Sequence, residues 1–250
     1  MQLSVTERLL RSTDPRMSAS GRFGRYKKED PLVVRRADVT GSELDHLRKR
    51  RDLLREMTPE QAFSVIEFHQ NLTLFEALAL AKREGKIIVP NDVHDRILTE
   101  TGARYNDSIW TGTLVIYEAP DKPFGENVTF DSISFVVPEQ FRGKINCALV
   151  VEHPDFDLVS QGVNKIELTV ADKTRISLLE NFPGKEGWYN FDKKSKIPVG
   201  EIGQRADNSR SLFRCKDCYS GLLIRYDDCY GRQGVYAYCK ASDRVGVALF

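Results

Sequence analysis

The chain has 250 residues, 41% of them hydrophobic and 29% charged, and a formal net charge of +1. That length can bury a full core in one large or two small domains, and the composition is ordinary for a soluble globular protein. No stretch approaches the ~20 apolar residues of a membrane span, so no membrane partner is expected. Glu7, Arg8 and Arg11 interrupt the apolar run that a secretory signal needs. Five cysteines, an odd number, also argue against a disulfide-framed secreted fold. The cytoplasm is the expected compartment.

The charge is unevenly spread. Residues 1–57 carry 14 Lys and Arg against 9 Asp and Glu, which leaves the remainder mildly acidic. A basic leading part points to an anionic partner; a solvated helix face with a loose tail gives the same count. Residues 1–41 read as a basic, extended arm, rich in small and charged residues. Within it Arg22, Arg25, Lys27 and Lys28 interleave with Phe23 and Tyr26. Cations beside aromatic faces are what single-stranded nucleic acid uses, so these four are candidate nucleic-acid ligands. An unstructured linker is the alternative.

Residues 42–102 predict a helical unit. Ser42 is a candidate N-cap, followed by Leu44, Leu47, Leu54 and Met57 on roughly one face, with Arg48 to Arg51 expected in solvent. Thr58-Pro59-Glu60-Gln61 is a stop and restart with a capping box, and Phe63, Ile66 and Phe68 form the buried side of a second helix. Thr73 and Glu76 form another box, opening a helix that runs to Gly85. Pro90 ends a short apolar run, and Asn91 is read as the cap of a fourth helix that stops at Gly102. Short capped helices are the raw material of helix-turn-helix DNA readers. The third helix is too apolar for a recognition helix, however, and a packing or docking role is the common alternative.

Residues 107–250 predict a mainly antiparallel β domain. Runs at 111–118, 128–137, 144–153 and 165–170 carry the β-branched and aromatic texture of strands. Residues 182–210, with four glycines and two prolines, read as a long exposed connection. Trp188, Tyr189 and Phe191 within it can stack on a ligand or anchor the loop to the sheet.

The enzyme candidate is Glu152-His153-Pro154-Asp155-Phe156-Asp157 at the end of a strand. Imidazole and carboxylates leaving a strand form a metal or general-base corner, so His153, Asp155 and Asp157 are candidate catalytic residues of a metal-dependent hydrolase or nuclease. No second histidine stands at ligand spacing, and Asp172 and Lys173 are adjacent, where the nuclease core needs acid-x-Lys. A polar strand end that caps a turn is the alternative. Walker, dinucleotide-binding, nucleophile-elbow and zinc-protease motifs do not occur.

The last forty residues hold Cys215, Cys218, Cys229 and Cys239. A C-x2-C pair followed by two further thiols can close one tetrahedral structural zinc site, provided that the runs GLLIRY, GVYAYC and VGVALF pair as antiparallel strands. The wide second spacing departs from a zinc ribbon, and plain buried thiols are the alternative. The expectation is therefore an α+β protein with two functional readings. One is a binding or adaptor protein with a zinc site and a protein or nucleic-acid partner; the other is a hydrolase centred on His153.

Overall fold

The computed structural model describes residues 41–103, 108–130, 133–160, 166–202, 210–213, 219–227, 233–236 and 244–250. The arm with Arg22, Arg25, Lys27 and Lys28, and the four zinc candidates Cys215, Cys218, Cys229 and Cys239, lie outside the described residues. The fold is α+β: among the described residues, four α-helices lie towards the start and most of the strands follow them.

Helix α1 spans Gly41–Glu56, α2 Pro59–Val65, α3 Leu74–Glu84 and α4 Asn91–Glu100. Both predicted capping boxes form. Thr58 accepts from the Gln61 amide while Gln61 accepts from that of Thr58, and Thr73 and Glu76 do the same. Gly85 closes α3 in the left-handed conformation, φ 60°, a geometry that costs glycine little. The start of α4 differs from expectation: its cap falls on Pro90, and Asn91 is already helical, with Nδ2 donating to the Ser195 carbonyl at 2.8 Å.

Strand β1, Glu67–Leu72, has no counterpart in the sequence reading, which placed Phe68 on the second helix. Ile66 turns extended and ends α2, and β1 pairs antiparallel with β14, Val245–Leu249. With mostly polar residues and an exposed pattern, β1 carries neither helical nor alternating periodicity.

Strand β2 is Ile109–Tyr117, β5 Cys147–Glu152, β8 Ser177–Glu180, β9 Gly187–Phe191, β10 Pro198–Ile202, β11 Arg210–Phe213, β12 Tyr219–Asp227 and β13 Gln233–Tyr236. With β1 and β14 they form a ten-stranded sheet in the order β1-β14-β2-β12-β13-β11-β9-β10, to which β5 and β8 attach through β2. Strands β3, Asn127–Phe130, β4, Ile133–Val136, β6, Phe156–Ser160, and β7, Ile166–Val170, form a second sheet in the order β3-β4-β7-β6. Most pairs are antiparallel; β14 with β2, β11 with β13 and β4 with β7 are parallel. Thus β14 joins β1 and β2, while β12 and β13 pair with each other, so the three C-terminal runs do not form one hairpin series.

All nine residues of β2 are buried because both its faces are covered. Trp110, Leu114 and Ile116 face the main core with Leu149 and Val151 of β5, Val247 of β14, Ala77, Leu78 and Ala81 of α3, and Val128, Phe135, Phe156 and Leu168 of the second sheet. Val115 and Tyr117 join Ala148, Val150, Phe182 and Tyr189 on the opposite side. Alternate residues of one strand serving two cores is the period-two geometry of a sheet covered on both faces. A third cluster holds Leu47 and Leu54 of α1, Val93 and Ile97 of α4, and Ile87, Val89 and Ala248.

One edge of β2 is shared. Ile109 and Trp110 pair with β14, and Thr113 to Tyr117 pair with β5. Between them residues 87–89 cross against Gly112, whose N–H donates to the Val89 carbonyl at 2.7 Å. A Cβ at position 112 would lie 2.1 Å from the Ile88 oxygen. Only glycine lets this crossing and the β2 edge share the space.

Two further expectations are corrected. The run 128–137, read as one strand, is the hairpin β3–β4 with Phe130 opposite Ile133. Residues 182–210, read as a connection, contain the paired strands β9 and β10 and the start of β11.

Candidate functional site

Glu152 to Asp157 links β5 to β6, and the Asp155 N–H donates to the Glu152 carbonyl across the turn. The tight turn separates the three sequence-predicted site residues. His153 and Asp157 line one cleft, and Asp155 lines another.

Asp155 is 1% exposed. Its Oδ1 accepts from Arg48 Nε at 2.8 Å and Nη2 at 2.6 Å, and its Oδ2 accepts from Arg51 Nη1 at 2.9 Å. Arg55 donates to Asp92 through Nε and Nη2, both at 2.9 Å, and also to Glu152. Arg48, Arg51 and Arg55 share one face of α1, since positions three and four apart stack along a helix. That face docks on carboxylates from the β5–β6 turn and α4. The expectation that Arg48 to Arg51 stay solvated is therefore corrected for Arg51, which is 6% exposed, and for Arg48, whose side chain is mostly covered. Burial works against the charges of Arg48 and Arg55, but their carboxylate partners outweigh it and hold both guanidinium pKa values above the ordinary one. With both carboxylate oxygens held by guanidinium groups, Asp155 is committed to docking α1.

His153 is buried, and its backbone N–H donates to the Gly112 carbonyl at 2.8 Å. Its Nδ1 accepts from the Ile88 N–H at 3.2 Å, so the neutral ring carries its proton on Nε2. Burial first, then the Arg51 cation, push its pKa down to about 4, with Asp155 acting weakly in the other direction. Phe156 meets the ring edge-on at 5.9 Å.

Asp157 is half-buried, with Oδ1 accepting from the Leu158 N–H at 2.8 Å and Oδ2 lying 3.7 Å from Lys82 Nζ. The cleft it shares with His153 has a volume of about 330 Å³. Leu44 and Leu47 of α1, Leu78 of α3, Phe156 of β6 and Val170 of β7 supply an apolar lining; Glu43, Lys82 and Lys86 supply charges. The cleft on the Asp155 side, about 490 Å³, carries Arg51, Arg55, Arg175 and Lys194 among Asp52, Glu152, Asp155 and Asp192, a balanced set of charges.

One cluster with metal-ligand chemistry escaped the sequence reading. Ligand atoms of Glu67, His69 and Glu84 lie within 4.8 Å of one another. Lys86 Nζ sits 2.7 Å from Glu67 and 3.1 Å from Glu84. Its hydrogen bond lowers the Glu67 pKa, and the two carboxylates raise that of Lys86 in spite of burial. The ammonium thus supplies the positive charge that the carboxylates call for. Residues 67 and 84 meet only because β1 runs beside the end of α3, which no local spacing reveals.

Tyr189 of the aromatic segment is buried in the second core, with its hydroxyl donating to the Lys185 carbonyl at 2.7 Å, and serves as an anchor. Among the described residues no helix is long and apolar enough to cross a membrane. Comparison of the chain with protein-family models, curated proteins and solved structures finds no match.

Proposed function

We propose that this chain is a binding protein, acting in the cytoplasm, rather than a metal-dependent hydrolase. The observation that carries this reading is the engagement of both Asp155 oxygens by Arg48 and Arg51. A hydrolytic centre needs a carboxylate free to hold a metal or take a proton beside the imidazole. In this chain the three candidate groups divide between two clefts. His153, neutral above about pH 4, offers an N–H donor in place of a base. Cleft residues drawn from α1, α3 and the β6–β7 pair suit ligand capture at a seam between layers. The surplus of Lys and Arg over Asp and Glu in residues 1–41 supports an anionic macromolecular partner in addition, and the odd cysteine number supports a reducing compartment.

The test incubates the purified chain with Mg²⁺ or Mn²⁺ and an aryl phosphate ester, single-stranded DNA or duplex DNA. No turnover is expected. Metal-dependent turnover that disappears in Asp157→Asn overturns the proposal. Titration of the same nucleic acids at rising salt tests the anionic partner, whose affinity must fall as phosphate contacts are screened.

A further inference from the structure

His153 is 7% exposed and lines the 330 Å³ cleft, and the only hydrogen bond of its ring among the described residues is the one that Nδ1 accepts from Ile88. That bond dictates the tautomer, so Nε2 carries a proton for which none of the described residues supplies an acceptor. Such a donor in a concave, mainly apolar site is the kind of polar group that orients a bound small molecule.

A second donor lines the same cleft, in an ion pair too long to be a hydrogen bond. Lys82 Nζ lies 3.7 Å from Asp157 Oδ2, beyond hydrogen-bond length, and its side chain is one-third exposed. Lys86 differs, being held by Glu67 and Glu84. Of the two acids, Asp157 accepts from the Leu158 amide through Oδ1 and pairs with Lys82 through Oδ2, and Glu43 is exposed on the first turn of α1. What the cleft offers a ligand is the His153 N–H and the hydrogen-bonding capacity that the long Lys82 ion pair leaves unused, beside the apolar surface of Leu44, Leu47, Leu78, Phe156 and Val170. A volume near the bottom of the ~300–1,000 Å³ range of ligand sites sets the size as small.

We infer that the cleft between α1, α3 and the β6–β7 pair binds a small monocarboxylate with a compact apolar body, its carboxylate accepting from His153 Nε2 and pairing with Lys82. The inference rests on the binding-protein reading and names the ligand class of that site. A carboxylate brings two oxygens and a full negative charge to the imidazole N–H and the ammonium, so its hydrogen bonds are stronger than those of a neutral carbonyl or hydroxyl of the same shape. The apolar lining selects against small polar acids, because their hydroxyl or amino groups would be buried against leucine and phenylalanine without partners.

The probes are benzoate and hexanoate, with benzyl alcohol as the uncharged analogue of benzoate, titrated calorimetrically into the whole chain. Both carboxylates are expected to bind, and benzyl alcohol at least tenfold more weakly. Lys82→Met should weaken the carboxylates about tenfold and leave benzyl alcohol unchanged. Ala171→Trp, at an exposed position on the rim, should abolish binding of all three while the thermal midpoint stays within a few degrees of the parent. The inference is overturned by absence of carboxylate binding, by benzyl alcohol binding as tightly as benzoate, or by affinities that neither variant changes. Any of these without hydrolysis leaves the binding-protein reading intact. Turnover of the phosphate substrates overturns that reading whatever benzoate does.

Discussion

Across 65 positions of sequence the Ile88 N–H donates to Nδ1 of His153 at 3.2 Å, joining the segment that crosses Gly112 to the end of β5. This bond needs a neutral ring, because a protonated Nδ1 has no lone pair to accept it. Burial and the Arg51 cation favour the same neutral form.

Acid sensitivity follows, with a definite sign. The folded pKa of about 4 lies below the usual ~6.5, so the unfolded chain takes up the proton first as pH falls. The stabilisation is whole above pH ~6.5 and is lost on the way down to ~4, about 3 kcal/mol in all. Urea unfolding of the parent and of His153→Asn, whose side-chain carbonyl can still accept from Ile88, should show the parent losing stability relative to the variant by this order between pH 7 and 4.5. A pH-independent difference would exclude the buried neutral imidazole.

Asp155→Ala should cost about 3–5 kcal/mol in chemical denaturation, since it strands a buried Arg51 cation and frees Arg48. Adding Arg51→Met should recover part of the loss, because the stranded charge goes with it. Strict additivity of the two changes would show that the pair is not coupled.

Gly112→Ala tests the crossing. Its Cβ would meet the Ile88 oxygen at 2.1 Å, and backbone cannot rotate aside as a side chain can. A loss of at least ~1–3 kcal/mol is expected, with faster amide exchange at Ile88 and Val89. Unchanged exchange there would mean that residues 87–89 do not run against β2.

Thr73→Ala should destabilise the chain by roughly 0.5–2 kcal/mol and Thr73→Ser by much less, because the hydroxyl that accepts from the Glu76 amide is kept in serine. Equal losses from both would point to the methyl group as the source of the effect.

Elemental analysis separates the two fates of Cys215, Cys218, Cys229 and Cys239. The zinc proposal expects one equivalent per chain, lost together with stability in Cys218→Ser. Metal-free protein with unchanged stability in that variant assigns these cysteines as plain thiols, as the buried Cys147 is.

What the sequence determined by itself is local. Thr58 with Gln61, Thr73 with Glu76, and Gly85 mark helix ends through contacts within three or four residues, and the β-branched runs at β2 and β5 declare strands by composition. The α+β class follows from those signals alone. Tertiary structure decided whatever depends on partners far along the chain. The sequence pattern of Arg48, Arg51 and Arg55 is that of a solvated helix face, and only the approach of Asp155, Glu152 and Asp92 makes it a docking surface. The polar strand β1 owes its conformation to pairing with β14, and His153 owes its tautomer to the Ile88 amide. A side chain's charge and shape are written in its own residue, whereas its solvent exposure and its hydrogen-bond partner are properties of the folded neighbourhood.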